Sequence, residues 1–290
     1  MRSRPRLCRR RPVKKPLGSV SAAVVAAIAL VALAAAPADA SVDQIVVAHR
    51  GATTSTIAEG TLRSYQYAVK NHADILDGDV RWTKDSSDAD TVGTMVISHD
   101  STLDRVTNCS GYVSEWLWTS IKDKCRTDVG GDRIIRLADL LTYSNSAGKP
   151  VALQIKLTSL TDAQAKQFWN AVKTSRVQLE ASSGQLPSMA KIKKLDAADP
   201  AHKITYAFVT SGTNGWPSVA TIKATGTMVH AHLSIPVGVM RTYQQANLRV
   251  FLWTGKNEVD YAKMVALQPY GVVVNDVGRF ERWRDSDIVL

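Results

Sequence analysis

Short apolar runs recur along the chain after about residue 40 and alternate with amphipathic stretches. The runs are rich in Val, Ile, Leu and Ala, which is the pattern of parallel strands buried on both faces. Stretches between them, such as TLRSYQYAVKNH, have helical periodicity. Eight strands that alternate with helices predict an α/β fold, a (β/α)8 TIM barrel. The predicted strands are residues 44–48, 75–80, 94–98, 151–155, 204–209, 227–232, 249–253 and 271–275.

The first 40 residues have the three-part layout of a secretory signal. A basic segment, MRSRPRLCRRRPVKK, precedes an Ala/Val-rich run, and Ala38-Asp39-Ala40 has the form of a cleavage site. We therefore expect a signal peptide over residues 1–40, cleavage after Ala40, and a secreted domain over residues 41–290. An uncleaved membrane anchor is the alternative, because the apolar run is nearly long enough to span a bilayer.

Cleavage would remove most of the excess basic charge. Residues 1–40 hold eight of the 36 Lys and Arg residues and one of the 26 acidic residues, so the net charge would fall from +10 to +3. Nucleic-acid binding is therefore not expected, because it needs basic residues concentrated on a folded face. We expect the mature chain to be a monomer with no stable membrane insertion.

One interval, between residues 98 and 151, is longer than the other connections. We predict an insertion after the third strand, over about residues 101–133, which lies across one end of the barrel. It contains Cys109 and Cys125. An even pair of cysteines in an exported chain predicts a disulfide. Free or metal-bound thiols are the alternative, although no CxxC spacing or flanking His supports them.

Polar side chains follow or end most of the predicted strands. In a barrel of this kind the chemistry takes place at the carboxyl ends of the strands. In VALQIKL, two polar side chains share one face of a strand, because residues two apart in a strand point the same way. The polar and aromatic residues at these ends are His49, Arg50, Asp77, Asp79, His99, Gln154, Lys156, His230, His232, Trp253, Asn275 and Asp276.

Two of these residues, Asp77 and Asp79, direct their carboxylates to the same face of the second strand. Two converging carboxylates repel, so one takes up a proton or the pair binds a cation. Oxygen ligands of this type suit Ca²⁺ or Mg²⁺. The alternative is a solvated pair, or one neutralised by Arg81 and Lys84.

Histidines follow two different strands, which suits a division into general base and general acid. His49 and His99 are the candidates, and Arg50 could bind a phosphate oxygen through a bidentate contact. His230 and His232 share a face, as a metal-binding pair would. The other interpretation is that one of these two lines the pocket and the other satisfies a polar layer.

Two stretches resemble the glycerophosphodiester phosphodiesterase family. They are AHRGATTSTIAEGTLRSYQYAVKNHADILDGDVRWTKD and MVISHDSTLDRVTNCSG. The family pattern contains HRG, PENT or a variant, and acidic and HD motifs in the same order. The resemblance implies a TIM barrel, a divalent metal, and hydrolysis of a small glycerophosphodiester to glycerol phosphate and an alcohol. A sphingomyelinase D-like enzyme acting on intact lipids and a catalytically impaired phosphodiester-binding barrel are the alternatives.

The resemblance also implies roles for individual residues. Asp77 and Gln154 stand where the family has glutamates, and Gln154 would present a neutral oxygen to the metal. Ca²⁺ accepts amide oxygens and irregular geometry, so Ca²⁺ is favoured over Mg²⁺. The resemblance implies that the catalytic residues are His49, His99, Arg50 and Lys156. The substrate-binding residues that it implies are Arg50, Lys156, Trp253 and Glu59. The metal ligands that it implies are Asp77, Asp79 and Gln154.

Overall fold

A closed barrel of eight parallel strands forms the centre of the protein. The computed structural model describes residues 44–84, 92–199 and 204–286. The predicted signal peptide lies outside these residues. The barrel closes because β1 pairs in parallel with both β2 and β9. The strands are β1 (Ile45–Ala48), β2 (Ile75–Trp82), β3 (Met95–Ile97), β4 (Val151–Ile155), β5 (Leu179–Ser183), β6 (Thr205–Thr210), β7 (Met228–His232), β8 (Arg249–Gly255) and β9 (Gly271–Val274).

Helices cover the outer face of the barrel. In α4, Thr161 caps the first turn in a reciprocal arrangement with Gln164, and buried residues recur on the face toward the strands. The helices are α1 (Leu62–Lys70), α2 (Trp118–Lys124), α3 (Leu137–Ala147), α4 (Asp162–Val172), α5 (Leu186–Ala197), α6 (Val219–Thr225), α7 (Val237–Gln245), α8 (Glu258–Ala266) and α9 (Val277–Asp285). None of the helices in the described ranges is long and apolar enough to cross a membrane.

The predicted (β/α)8 barrel is confirmed, but one of its predicted strands is wrong. Residues 94–98 contain β3, which pairs antiparallel with β2 and stands outside the barrel. The missing barrel strand is β5, whose sequence is LEASS. Its alternate residues Glu180 and Ser182 line cavities inside the barrel, so the strand lacks the continuous apolar run used to identify the others.

The interior of the barrel contains an apolar layer and becomes polar toward the carboxyl ends of the strands. Apolar side chains, among them Val47, Met228 and Phe251, form a separate cluster inside the barrel. The carboxyl ends carry polar residues instead, including Asp79 and Gln154, which are paired in register across β2 and β4. The polar site therefore lies at the carboxyl ends of the strands, beyond an apolar layer of the barrel interior.

The insertion after β3 has its own small core. A 3₁₀ turn (Val113–Glu115) and α2 pack around Leu103, Ile121 and other buried residues. The predicted disulfide is confirmed: Cys109 and Cys125 are joined, with their Cα atoms 5.5 Å apart. Cys125 belongs to this small core, so the cross-link and the packing hold the same segment together.

Removal of this disulfide is expected to destabilise the protein. The cross-linked residues are 16 apart in sequence, and closing a loop of that size is worth about 3 kcal/mol in the chain-entropy model. We expect the Cys109→Ser, Cys125→Ser double variant to lose about that free energy of unfolding in a urea titration. Wild type in reductant is the control, and it should match the variant. An unchanged urea midpoint in both samples would contradict the prediction.

Candidate active site

A cavity of about 80 Å³ lies at the carboxyl ends of the barrel strands. Nearly all the predicted site residues surround it, although they come from widely separated parts of the sequence. Glu59 and Asp79 lie beside it and line a narrow adjoining space together with Arg50 and His99. The residues that line the main cavity are His49, Arg50, Asp77, His99, Gln154, Lys156, Ser182, Val209, His230, Trp253 and Val273.

The turn after β1 directs Arg50 into the site. Arg50 has a φ of 58°, a region that few non-glycine residues occupy, and its backbone N–H donates to Asp77 Oδ2 at 3.0 Å. The next residue, Gly51, has a φ of 85°, and a Cβ there would lie 2.1 Å from Ser64 Oγ. Only glycine fits this position, so the HRG sequence has a structural as well as a chemical basis.

The Arg50 guanidinium is held between two carboxylates. Nη1 donates to the two carboxylate oxygens of Glu59 at 3.1 and 3.2 Å, and Nε lies 3.3 Å from Asp79 Oδ2. On the other side of Asp79, Lys156 Nζ lies 3.5 Å from Oδ1. Arg50 and Lys156 therefore bring two positive charges to one wall of the cavity, with Asp79 between them.

The two carboxylates of β2 are both buried. Burial, reinforced by the charge of Asp79, raises the pKa of Asp77 to about 7. The proposed neutralisation of this pair by Arg81 is not what the structure shows, because Arg81 donates through Nε and Nη2 to the His99 carbonyl at 3.0 and 2.7 Å. Arg81 thus fixes the backbone of the catalytic candidate His99.

The oxygen atoms of the β2 pair fit a hard divalent cation. Asp79 Oδ2 is buried and, within the described part of the chain, accepts no hydrogen bond of good geometry. Gln154 lies in register beside Asp79 and lines the same cavity as Asp77. Within residues 44–84, 92–199 and 204–286, no three His, Cys, Asp or Glu side chains could hold a metal ion. The oxygen atoms that these residues offer are the carboxylates of Asp77 and Asp79 and the side-chain amide oxygen of Gln154, which are ligand types of hard divalent cations.

His49 and His99 face the same cavity but have different partners. His49 Nδ1 lies 2.7 Å from Asn275 Oδ1, so this nitrogen donates to an amide oxygen. Burial, aided by the charge of Arg50, lowers the pKa of His49 to about 4. His99 Nδ1 lies 2.7 Å from a carboxylate oxygen of Asp100. Burial lowers the pKa of His99 below its ordinary value, although the charge of Asp79 and the hydrogen bond with Asp100 oppose this shift.

Asp100 belongs to a chain of ion pairs that the sequence interpretation missed. Arg105, in the insertion, donates to Asp100 Oδ2 and, through Nη2, to Glu59 Oε1 at 2.6 Å. Burial alone would raise the pKa of Asp100, but hydrogen bonds from Arg105 and His99 lower it to about 2. The stretch HDSTLDR, which begins two residues after β3 ends, contains both Asp100 and Arg105, but sequence alone does not show that Arg105 turns back toward Glu59.

The remaining aromatic and histidine candidates lie at the carboxyl ends of β7 and β8. Trp253 Nε1 donates to the His230 carbonyl at 3.1 Å, and the Trp253 ring contacts His232 edge-on. His230 lines the cavity, and its Nε2 lies 2.8 Å from Glu180 Oε1. His232 Nδ1 instead lies 2.8 Å from Ser234 Oγ. One histidine of the pair thus lines the pocket, and the two have separate partners.

Comparisons with known proteins point to one family. The family model described as the glycerophosphoryl diester phosphodiesterase family matches residues 49–279. A putative glycerophosphodiester phosphodiesterase, YhdW of Bacillus subtilis, is 26% identical over 248 residues, which cover 79% of this chain and 93% of the relative. A glycerophosphodiester phosphodiesterase of Caldanaerobacter subterraneus is 24% identical over 241 residues, or 80% of this chain and 94% of the relative.

A solved structure shares the fold. An Oleispira antarctica phosphodiesterase, determined in complex with the product sn-glycerol-3-phosphate, has a TM-score of 0.71 and 19% identity, covering 83% of this chain and 96% of that one. Members of the matched family generally depend on a divalent metal. The chain therefore belongs to the glycerophosphoryl diester phosphodiesterase family, and it is a phosphoric diester hydrolase.

Proposed function

We propose that this cavity hydrolyses glycerophosphodiesters to glycerol phosphate and an alcohol by two-histidine acid/base catalysis. The observation that carries the proposal is the convergence of His49, His99, Arg50 and Lys156 on one small cavity. Two imidazoles suit the two proton transfers that displacement at phosphorus requires. Arg50 and Lys156 supply the positive charge that a phosphodiester anion needs.

The basic side chains bind and orient the phosphate. The Arg50 guanidinium is fixed by Glu59 and Asp79, so its position is set before the substrate arrives. Lys156 Nζ, on the other side of Asp79, contributes a second positive charge. Preorganised charge of this kind stabilises the additional negative charge that develops on the phosphoryl oxygens.

The hydrogen-bond partners support different roles for the two histidines. His49 donates its Nδ1 hydrogen to the neutral oxygen of Asn275, which leaves Nε2 as an acceptor and suits a general base. His99 pairs with the carboxylate of Asp100, which stabilises a proton on the ring and suits a general acid. His49 would take a proton from water or from the adjacent substrate hydroxyl, and His99 would protonate the leaving alcohol.

Asp77, Asp79 and Gln154 are the residues that would hold the divalent metal of this family. Polarisation of a phosphoryl oxygen is the chemistry that such an ion supplies when bound. We propose Ca²⁺ rather than Mg²⁺, because an amide ligand and a shortened carboxylate give an irregular site. Asp77 is held ready for this role by the hydrogen bond from the Arg50 backbone.

A substitution at Gln154 tests the ligand set. Gln154→Glu adds an anion beside Asp79, so we expect Ca²⁺ to bind at least about tenfold more tightly in isothermal titration calorimetry. Gln185→Glu, at the residue before α5 and outside the cavity lining, is the matched control and should leave the affinity unchanged. Unchanged or weaker binding in Gln154→Glu would show that this residue is not a ligand.

We further propose that the domain acts outside the cell as a monomer. The support for export is the signal-like layout of residues 1–40. The disulfide Cys109–Cys125 fits an oxidising compartment. Expression of the full chain with analysis of the culture medium tests export, N-terminal sequencing tests cleavage after Ala40, and size-exclusion chromatography tests the monomeric state.

One assay tests the activity, its metal dependence and the substrate class. The mature protein is incubated with glycerophosphocholine and, separately, with sphingomyelin vesicles, in Ca²⁺, in Mg²⁺ and in chelator. We expect glycerol phosphate from the soluble diester, with Ca²⁺ giving the highest rate. Product from vesicles alone would favour a sphingomyelinase D-like enzyme, and no product from either would indicate a binding barrel.

A further inference from the structure

A buried ion pair lies inside the barrel beneath the catalytic cavity. Glu180 of β5 and His230 of β7 face each other across β6, with Nε2 and Oε1 2.8 Å apart. The side chains expose only 7% and 9% of their surface. The intervening strand contributes the small interior residue Ala207, which leaves room for the two longer side chains to meet. None of the proposed steps at the phosphate uses this pair.

Stability does not explain this pair. Burying two charges costs desolvation energy, and a well-packed apolar pair of similar volume is often at least as stable. The neighbouring interior residues are apolar: His230 stacks on Phe251, with ring centroids 4.9 Å apart. A polar pair in this layer is therefore expected to serve a ligand.

The orientation of His230 is fixed from two sides. The Glu180 carboxylate lies 2.8 Å from Nε2, and Phe251 stacks against the face of the ring. Nε2 is buried against the carboxylate and, within the described ranges, forms no hydrogen bond of good geometry. His230 lines the catalytic cavity, whereas Glu180 lines a different cavity at the amino ends of the strands.

The floor of the catalytic cavity is polar on several strands. Ser182 of β5 lines it beside His230, and its hydroxyl makes only a long hydrogen bond, 3.5 Å, to the Leu153 carbonyl. The basic residues Arg50 and Lys156 come after β1 and β4, above this floor. A phosphate held by them would direct one substituent downward, onto Ser182 and His230.

We propose that His230, held by Glu180, is a specificity-determining residue that hydrogen-bonds a hydroxyl of the polyol group of the substrate at the floor of the cavity. The inference rests on the proposed function, in which this cavity binds a glycerophosphodiester. An alkyl group in the same place would leave the polar atoms of His230 and Ser182 unpaired, which is costly in a buried site. A cavity of about 80 Å³ also suits a short polyol better than an acyl chain.

Two ligands with the same phosphate and carbon skeleton separate this role from a structural one. Glycerol 3-phosphate and propyl phosphate differ only in two hydroxyls, and their binding is measured by calorimetry in chelator, so that only protein groups contribute. We expect wild type to bind glycerol 3-phosphate at least about tenfold more tightly than propyl phosphate.

The test variant replaces the whole pair, because removing one partner would leave a buried charge unpaired. In Glu180→Val, His230→Leu, both polar side chains are removed and the combined side-chain volume changes little, so the interior is not overpacked. We expect the preference for glycerol 3-phosphate to fall to within about threefold, with the affinity for propyl phosphate unchanged. His230→Gln keeps a hydrogen-bonding side chain and should retain part of the preference.

The inference is overturned if the double variant keeps the wild-type preference, or if its affinities for both ligands fall together. Turnover of glycerophosphocholine by wild type is measured separately. Turnover without a preference for glycerol 3-phosphate rejects only the role of His230. A preserved preference without turnover rejects only the proposed hydrolysis.

Discussion

Replacing either His49 or His99 with Asn is expected to lower kcat for glycerophosphocholine by about 10²- to 10⁴-fold, the usual contribution of a positioned acid or base. The two side chains line one cavity. Loss of His49 removes the acceptor for the nucleophile's proton. Loss of His99 removes the donor to the leaving alcohol. The measurement is steady-state kinetics of the mature protein in saturating Ca²⁺.

A third histidine provides the matched control. His72 is exposed just after α1 and has a φ of 68°, a conformation that Asn tolerates well. His72→Asn should leave kcat within about twofold and should unfold at the same urea concentration as wild type. If His49→Asn or His99→Asn behaves like His72→Asn, that histidine takes no part in proton transfer.

The two roles also predict different substrate dependence. A leaving group of low pKa, such as p-nitrophenol, needs little protonation, so a glycerol p-nitrophenyl phosphodiester should restore much of the activity of His99→Asn. The same substrate should not restore His49→Asn, because the nucleophile still has to lose a proton. The opposite outcome would exchange the two roles without changing the residues involved.

The fold was predictable because most barrel strands are buried on both faces. Such strands read as continuous apolar runs, and seven of the eight predicted runs correspond to barrel strands. The exception arose from function: β5 carries Glu180 and Ser182 toward the cavities and lost its apolar signal. β3 has a continuous apolar run because it is buried beneath the insertion, although it pairs outside the barrel.

The site residues that directly follow a strand were predictable from the sequence. The residues that act by contacting them were not. His49, Arg50 and His99 follow strands directly, so the barrel brings them together. Asn275 contacts His49 from 226 residues away in the sequence, and Arg105 returns to Glu59 from the insertion. The sequence pattern does not show either contact. The Glu180–His230 pair is of the same kind.

Asp79→Asn is expected to abolish measurable hydrolysis of glycerophosphocholine, with a fall of about 10³-fold or more. Asp79 is only 2% exposed and lies between Arg50 Nε and Lys156 Nζ. The substitution removes the anion that positions both phosphate-binding side chains and one of the two carboxylate ligands proposed for the metal. Losing several kcal/mol of transition-state stabilisation corresponds to about three decades in rate.

A measurement of metal binding distinguishes the two effects of Asp79→Asn, which are the loss of a proposed metal ligand and the loss of the anion that positions Arg50 and Lys156. Calorimetry should show Ca²⁺ affinity falling at least about tenfold, because one anion is lost. Asp139→Asn is the matched control, since Asp139 also pairs with an arginine, Arg136, but at the surface. An exposed pair is worth at most about 1 kcal/mol, so Asp139→Asn should keep full activity and Ca²⁺ affinity. Loss of activity in Asp79→Asn with unchanged Ca²⁺ affinity would remove Asp79 from the metal ligands and leave it the role of orienting Arg50 and Lys156.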